Sequence, residues 1–181
     1  MITIKNRFVI LLITVFSSMP AMAQNIHESA KEGYLDTVKM LLEKDTQLIN
    51  LQDETGRTAL HWACREVHVE VIKYLIENGA NVNVKDINEV TPLHSLSFRG
   101  QTDCIKLVIE NGADIESKDS YGLNPLFYAV YGGQKGAAEA LINNGAAINT
   151  RNPNGLTPAD IAEDGGHKEL VRYLISAGIE E

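Results

Sequence analysis

Thr58-Ala59-Leu60-His61-Trp62-Ala63 and Thr91-Pro92-Leu93-His94 stand 33 residues apart, each just behind the aspartate, Asp53 or Asp86, that opens its segment. Asp119 and Asn152 continue that register, and the four segments lie over one another without a gap. A fixed period of roughly 20–50 residues marks one supersecondary unit copied and stacked, so one copy carries the fold.

The copies run 53–85, 86–118, 119–151 and 152–181. Asp53-Glu54-Thr55-Gly56, Asp119-Ser120-Tyr121-Gly122 and Asn152-Pro153-Asn154-Gly155 supply the residues of tight turns. A short helix is predicted after each turn, with Thr58, Thr91 and Thr157 placed to cap it and Pro92, Pro125 and Pro158 in its first turn. Gly100, Gly133 and Gly166 end it. Val71, Ile72, Leu75 and Ile76 then recur at helical spacing with Lys73 facing outward, which predicts a second helix. Asn78-Gly79, Asn111-Gly112 and Asn144-Gly145 stop that helix, and an extended Ala-x-Val/Ile-Asn segment is predicted to lead into the next turn. Two short helices offer a single layer of apolar side chains, so each unit buries its face only by stacking on the next.

These residues resemble the ankyrin repeat, whose T-P-L-H-x-A signature and 33-residue length are both met. The resemblance covers residues 24–181, since 25–52 aligns as a degenerate first copy with Gly33 at the interhelical turn and Val38, Leu41 and Leu42 in the second-helix core. It implies an all-α solenoid of five helix-turn-helix units, two capping and three central, joined by β-turn or hairpin loops. Glu89 departs from the pattern at the turn glycine, Val67 at the interhelical glycine and Leu96 at a small-residue position, so local geometry there is open. Gly136-Ala137-Ala138-Glu139-Ala140 is small where its neighbours are large; each missing methylene forfeits about 0.8 kcal/mol of burial, which predicts the loosest part of the stack.

Residues 1–23 follow another grammar. Lys5 and Arg7 precede an apolar run from Phe8 to Phe16, and Ala21-Met22-Ala23 offers a small-x-small cleavage site, the pattern of a secretory signal peptide. The run is shorter than the roughly 20 apolar residues of a membrane-spanning helix, which disfavours an uncleaved anchor. The expected product is a soluble monomer without membrane insertion, placed in a bacterial periplasm or, alternatively, outside the cell. Cleavage removes two of 16 basic residues and none of the 24 acidic ones, leaving 14 against 24, a net charge of −10. Such a surface repels phosphate backbones, which excludes nucleic acid and anionic lipid as expected partners.

Cys64 and Cys104 sit at positions that read as small buried hydrophobes, and an oxidising compartment leaves a bridge between them open. His27, His61 and His94 share one register position, and His68 and His167 another. A copied position argues for scaffold, since catalysis needs a unique cluster. In the ankyrin family, the first of these histidines bonds backbone between neighbouring turns. No zinc spacing, phosphate loop or nucleophile motif is present, so no catalytic, metal or cofactor residue is assigned.

What varies between copies is then informative. Arg65, Phe98, Tyr131 and Asp164 share one register position at the end of the first helix, and Glu66, Arg99, Gly132 and Gly165 the next. Glu54, Arg57, Ile87, Val90, Tyr121 and Leu123 stand at turn tips. The family resemblance implies that a protein partner docks in the groove these positions line. Phe98 and Tyr131 are the leading contacts, because an aromatic at an exposed framework position implies a cover. Arg65, Arg99, Tyr121 and Arg57 flank them; Trp62 and Tyr128, one turn earlier, read equally as core or interface. The expected function is a non-enzymatic, exported protein-binding module, an inhibitor or self-protection partner of a cell-envelope enzyme, with an acidic groove facing a basic surface. The small chain favours occupation of the partner as the whole function. An effector binding a host protein and an enzyme with an unrecognised site are the alternatives.

Overall fold

The computed structural model describes residues 25–179, so the signal-peptide segment 1–23 lies outside the described residues. Among the described residues the chain forms ten α-helices and one 3-10 helix, and no strand. They pair as α1 (Ile26–Lys31) with α2 (Leu35–Lys44), α3 (Ala59–Glu66) with α4 (Val69–Glu77), α5 (Pro92–Arg99) with α6 (Thr102–Glu110), α7 (Pro125–Tyr131) with α8 (Lys135–Asn143), and α9 (Pro158–Asp164) with α10 (Lys168–Ile179). The 3-10 helix, Thr46–Asn50, follows α2 and leads toward the turn at Asp53.

The first helices α1, α3, α5, α7 and α9 pack in series, as do the second helices α2, α4, α6, α8 and α10. One face therefore belongs to the first helices and the opposite face to the second. Between the layers runs a continuous core in which Leu60, Ile72, Leu75, Leu93, Leu96, Ile105, Leu126, Phe127 and Leu141 are fully buried. Ala137, Ala138 and Ala140 of α8 join it, so the small residues of that helix reduce apolar area without leaving the core.

Thr58, Thr91 and Thr157 are N-caps, with Asn124 taking the role in the third central unit, and the three prolines fill first-turn positions. The aspartates that open the units explain their own recurrence. Asp53 Oδ1 accepts the backbone N–H groups of Thr55 and Arg57 at 2.8 and 3.1 Å; Asp86, Asp119 and Asn152 repeat both bonds one unit further on. One oxygen thus closes each turn from inside.

Two sequence positions hold backbone that glycine would hold more cheaply. Val67 has φ 67° and Glu89 φ 59°, both left-handed, so the geometry left open there is retained at the cost of local strain. The predicted extended Ala-x-Val/Ile-Asn segment is corrected: the chain turns at residues 82–83, 115–116 and 148–149. Asn81 and Asp114 each accept the N–H two residues on, which bends the chain and drops Val82 into the core. A recurring link crosses the junctions nearby. Asn50, Asn83 and Glu116, 33 residues apart, accept the backbone N–H of Asn81, Asp114 and Ala147, each at 2.8 Å.

Candidate protein-binding face

The copied histidines work as struts. Thr58 N–H donates to His61 Nδ1 at 3.1 Å, which leaves the proton on Nε2, and Nε2 donates across the junction to Val90 O at 3.2 Å. His94 repeats both bonds with Thr91 and Leu123, and His27 reaches Leu51 O at 2.7 Å. Burial is the main force holding His61 down to about 4 and His94 below its usual value. His68 reaches back to Lys31 O at 2.7 Å, and its ring fills the space beside Gly33; the His167 ring does the same beside Gly133. All five therefore serve the stack. Cys64 and Cys104 are both buried and free, and burial raises both thiols. Among the described residues no group of three or more His, Cys, Asp or Glu is placed to hold a metal ion.

The variable residues project from the ends of the first helices and the hairpin tips. Phe98 is 47% exposed, Tyr131 49% and Tyr121 73%. Trp62 and Tyr128 are half-buried, each tied to the aspartate that opens its own unit. The Trp62 indole N–H donates to Asp53 Oδ2 at 2.7 Å, and the Tyr128 hydroxyl donates to Asp119 Oδ2 at 2.7 Å. Burial alone would raise the Asp53 carboxyl, but bonds from the Thr55 hydroxyl, the Trp62 indole and two backbone N–H groups outweigh it and hold it at about 2. For Tyr128, burial and the Asp119 carboxylate both push the phenol well above its ordinary range.

The second central unit breaks this pattern with Ser95, which occupies the register position of Trp62 and Tyr128. Its side chain is too short to reach Asp86. Arg57 does so from the preceding unit, with Nε 3.0 Å from Asp86 Oδ2. The missing aromatic leaves a notch of about 360 Å³ over Ser95. Arg57, Arg65 and Arg99 line it, with His61 and Val90 below and Phe98 and Tyr128 beside them. Arg99 is anchored across the junction by Nε donating to Arg65 O at 2.9 Å. Arg57, Arg65 and Lys31 surround the Trp62 ring, with cation-to-centroid distances of 5.0, 5.5 and 5.8 Å.

The structure thus brings Arg57, Arg65, Phe98, Arg99 and Tyr128 around one notch, with Trp62 touching two of its arginines, Arg57 and Arg65; Tyr121 and Tyr131 do not line it. Ser95 was not among the candidates read from sequence, because its signal is an absence in the Trp62 and Tyr128 row. At this notch the local charge differs from the acidic groove expected from net charge. Net charge averages over the whole surface, whereas the charges lining the notch are guanidinium groups and Asp86 lies behind Arg57 with its side chain 0% exposed. A larger hollow, about 710 Å³, lies at the N-terminal end of the stack among residues 25–27, 48 and 51–55; of the turn-tip positions Glu54 lines it, and none of the aromatic or arginine candidates does.

A model of ankyrin repeats in three copies matches residues 26–119 and again 99–181. The chain is 46% identical over 55 residues to the palmitoyltransferase akr1 of Schizosaccharomyces pombe, which is 30% of this chain and 9% of that protein. It is 42% identical over 57 residues to the 26S proteasome non-ATPase regulatory subunit 10 of Rattus norvegicus, covering 32% of this chain and 25% of the relative. An acyl-CoA-binding domain-containing protein 6 homolog of Dictyostelium discoideum is 52% identical over 48 residues, 26% of this chain and 17% of the relative. The matches span a quarter or less of these relatives, so their activities stay with them. The repeat period, the histidine struts and the family match converge: the chain belongs to the ankyrin repeat family, a family of protein-binding modules.

Proposed function

We propose that the protein is a non-enzymatic module, exported from the cytoplasm, that acts by occupying a partner protein with its first-helix face. The observation that carries this is the exposure of Phe98 and Tyr131, side by side in register on a framework that is otherwise copied. Aromatic and arginine side chains dominate interface energetics, and this face offers both. Lys5, Arg7, the apolar run and Ala21-Met22-Ala23 support export, with the periplasm as destination and a cell-envelope enzyme as the target that a monomer would inhibit or protect. Among the described residues no helix is long and apolar enough to cross a membrane.

Two measurements test the proposal. Cell fractionation should find the protein outside the cytoplasm, and a cytoplasmic location would remove the envelope target. Affinity capture from an envelope extract should lose its partner when Phe98→Ala and Tyr131→Ala are combined, by tenfold or more for a loss of about 2 kcal/mol at a central contact. Undiminished capture by the double variant would move the interface off this face.

A further inference from the structure

We propose that the notch at Ser95 anchors an acidic segment of the partner protein, one carboxylate held among Arg57, Arg65 and Arg99 and an apolar neighbour laid on Phe98. The inference rests on the binding-face reading above and specifies its chemistry. Three of the five arginines between residues 25 and 179 line this one notch, in a chain whose formal charge is −8. Their disposition therefore runs against the composition of the surface.

Two of the three guanidinium groups are held in place by bonds that use only part of them. Arg57 is fixed through Nε to Asp86, and Arg99 through Nε to Arg65 O. Among the described residues, the terminal nitrogens of Arg57, Arg65 and Arg99 donate no hydrogen bond. A planar guanidinium with its far edge open matches a carboxylate through two parallel bonds. The local counter-charges are already committed: Asp86 is buried behind Arg57, and Asp53 Oδ2 is taken by the Trp62 indole. Glu66 is the exposed carboxylate within reach of these arginines, 3.5 Å from Arg65 and 3.9 Å from Arg99, and exposed pairs of this kind contribute little. An incoming carboxylate competes with it easily. Phe98, half exposed at the rim, gives the same segment an apolar contact.

The test selects a random linear peptide library against the immobilised full chain, then follows the best peptide through the fluorescence of Trp62, the single tryptophan, which touches Arg57 and Arg65. Selected peptides should share Asp or Glu next to an apolar residue, and their affinity should fall as salt rises. Ser95→Tyr fills the notch with a side chain that the register position carries elsewhere, and it should weaken the peptide about tenfold or more. Arg65→Glu combined with Arg99→Glu should do the same; both sites are exposed, so the fold is retained. Neutral or basic peptides that still depend on Phe98 would overturn the acidic segment and leave the binding face standing. Peptides indifferent to Ser95→Tyr and Phe98→Ala, or no selected peptide at all, would overturn both.

Discussion

The first and third central units each meet the demand of their opening aspartate from within, through Trp62 or Tyr128, whereas the second meets it from outside, through Arg57. The demand is constant: a carboxylate folded under a hairpin needs a donor on its second oxygen. Only the supplier changes. Where the supplier comes from the neighbouring unit, the aromatic position is free to be small, and a notch opens in a face that is otherwise filled. The same exchange makes the junction between the first two central units depend on an ion pair, while the next depends on packing of Tyr128 edge-on against His94, with centroids 4.8 Å apart.

The harshest way to break this comparison is Arg57→Ala. It strands the Asp86 carboxylate, and removal of one partner from a buried pair should cost about 4 kcal/mol, read as a fall in the urea midpoint. A loss as small as that of an exposed charge would mean that Asp86 reaches water. Acid should divide the stack next. His61 and His94 serve the first two central units, whereas the third carries Phe127 at that position. With the folded value of His61 near 4 and an ordinary value of 6.5, the neutral form is favoured by folding. Its contribution, about 3 kcal/mol, is complete above pH 6.5 and drains away as pH falls toward 4. Urea midpoints between pH 7 and 4, with amide signals resolved by residue, should show residues 53–118 loosening before 119–179.

Trp62→Phe and Tyr128→Phe test whether the two self-sufficient units are truly alike. Each deletes one bond to a carboxylate and should cost about 1.5 kcal/mol. In the first variant the Asp53 carboxyl should also titrate above its present value near 2, followed by side-chain NMR. Unequal losses would show that the arginine cage around Trp62 contributes separately. The smallest effect has the opposite sign: Val67→Gly relieves left-handed backbone at a branched residue and should raise stability by about 1 kcal/mol, seen as a higher melting temperature.

The period of 33 made the helices, most caps and the scaffold role of the copied histidines legible, because those features repeat and each copy checks the others; the bonds those histidines make came from the family resemblance. Legibility failed wherever the information lay in a relation between copies. Ser95 carries no signal of its own, and its meaning depends on Trp62 before it and Tyr128 after it. Arg57 reads as a turn-tip charge until Asp86 is seen to need it. The turns at residues 82–83 and 115–116 escaped because Asn81 and Asp114 look like linker polarity, while their side chains actually capture backbone. Composition says nothing about placement: in a chain with 24 acidic residues, three of the five arginines between residues 25 and 179 line one notch.

The side chains of Asn50, Asn83 and Glu116 each hold one N–H of the following unit. Every such bond crosses a single junction, so the amide protons of Asn81, Asp114 and Ala147 form three gauges, each blind to the other two. Their exchange rates would show whether the solenoid opens as one body or peels a junction at a time, and which junction a docked partner clamps shut.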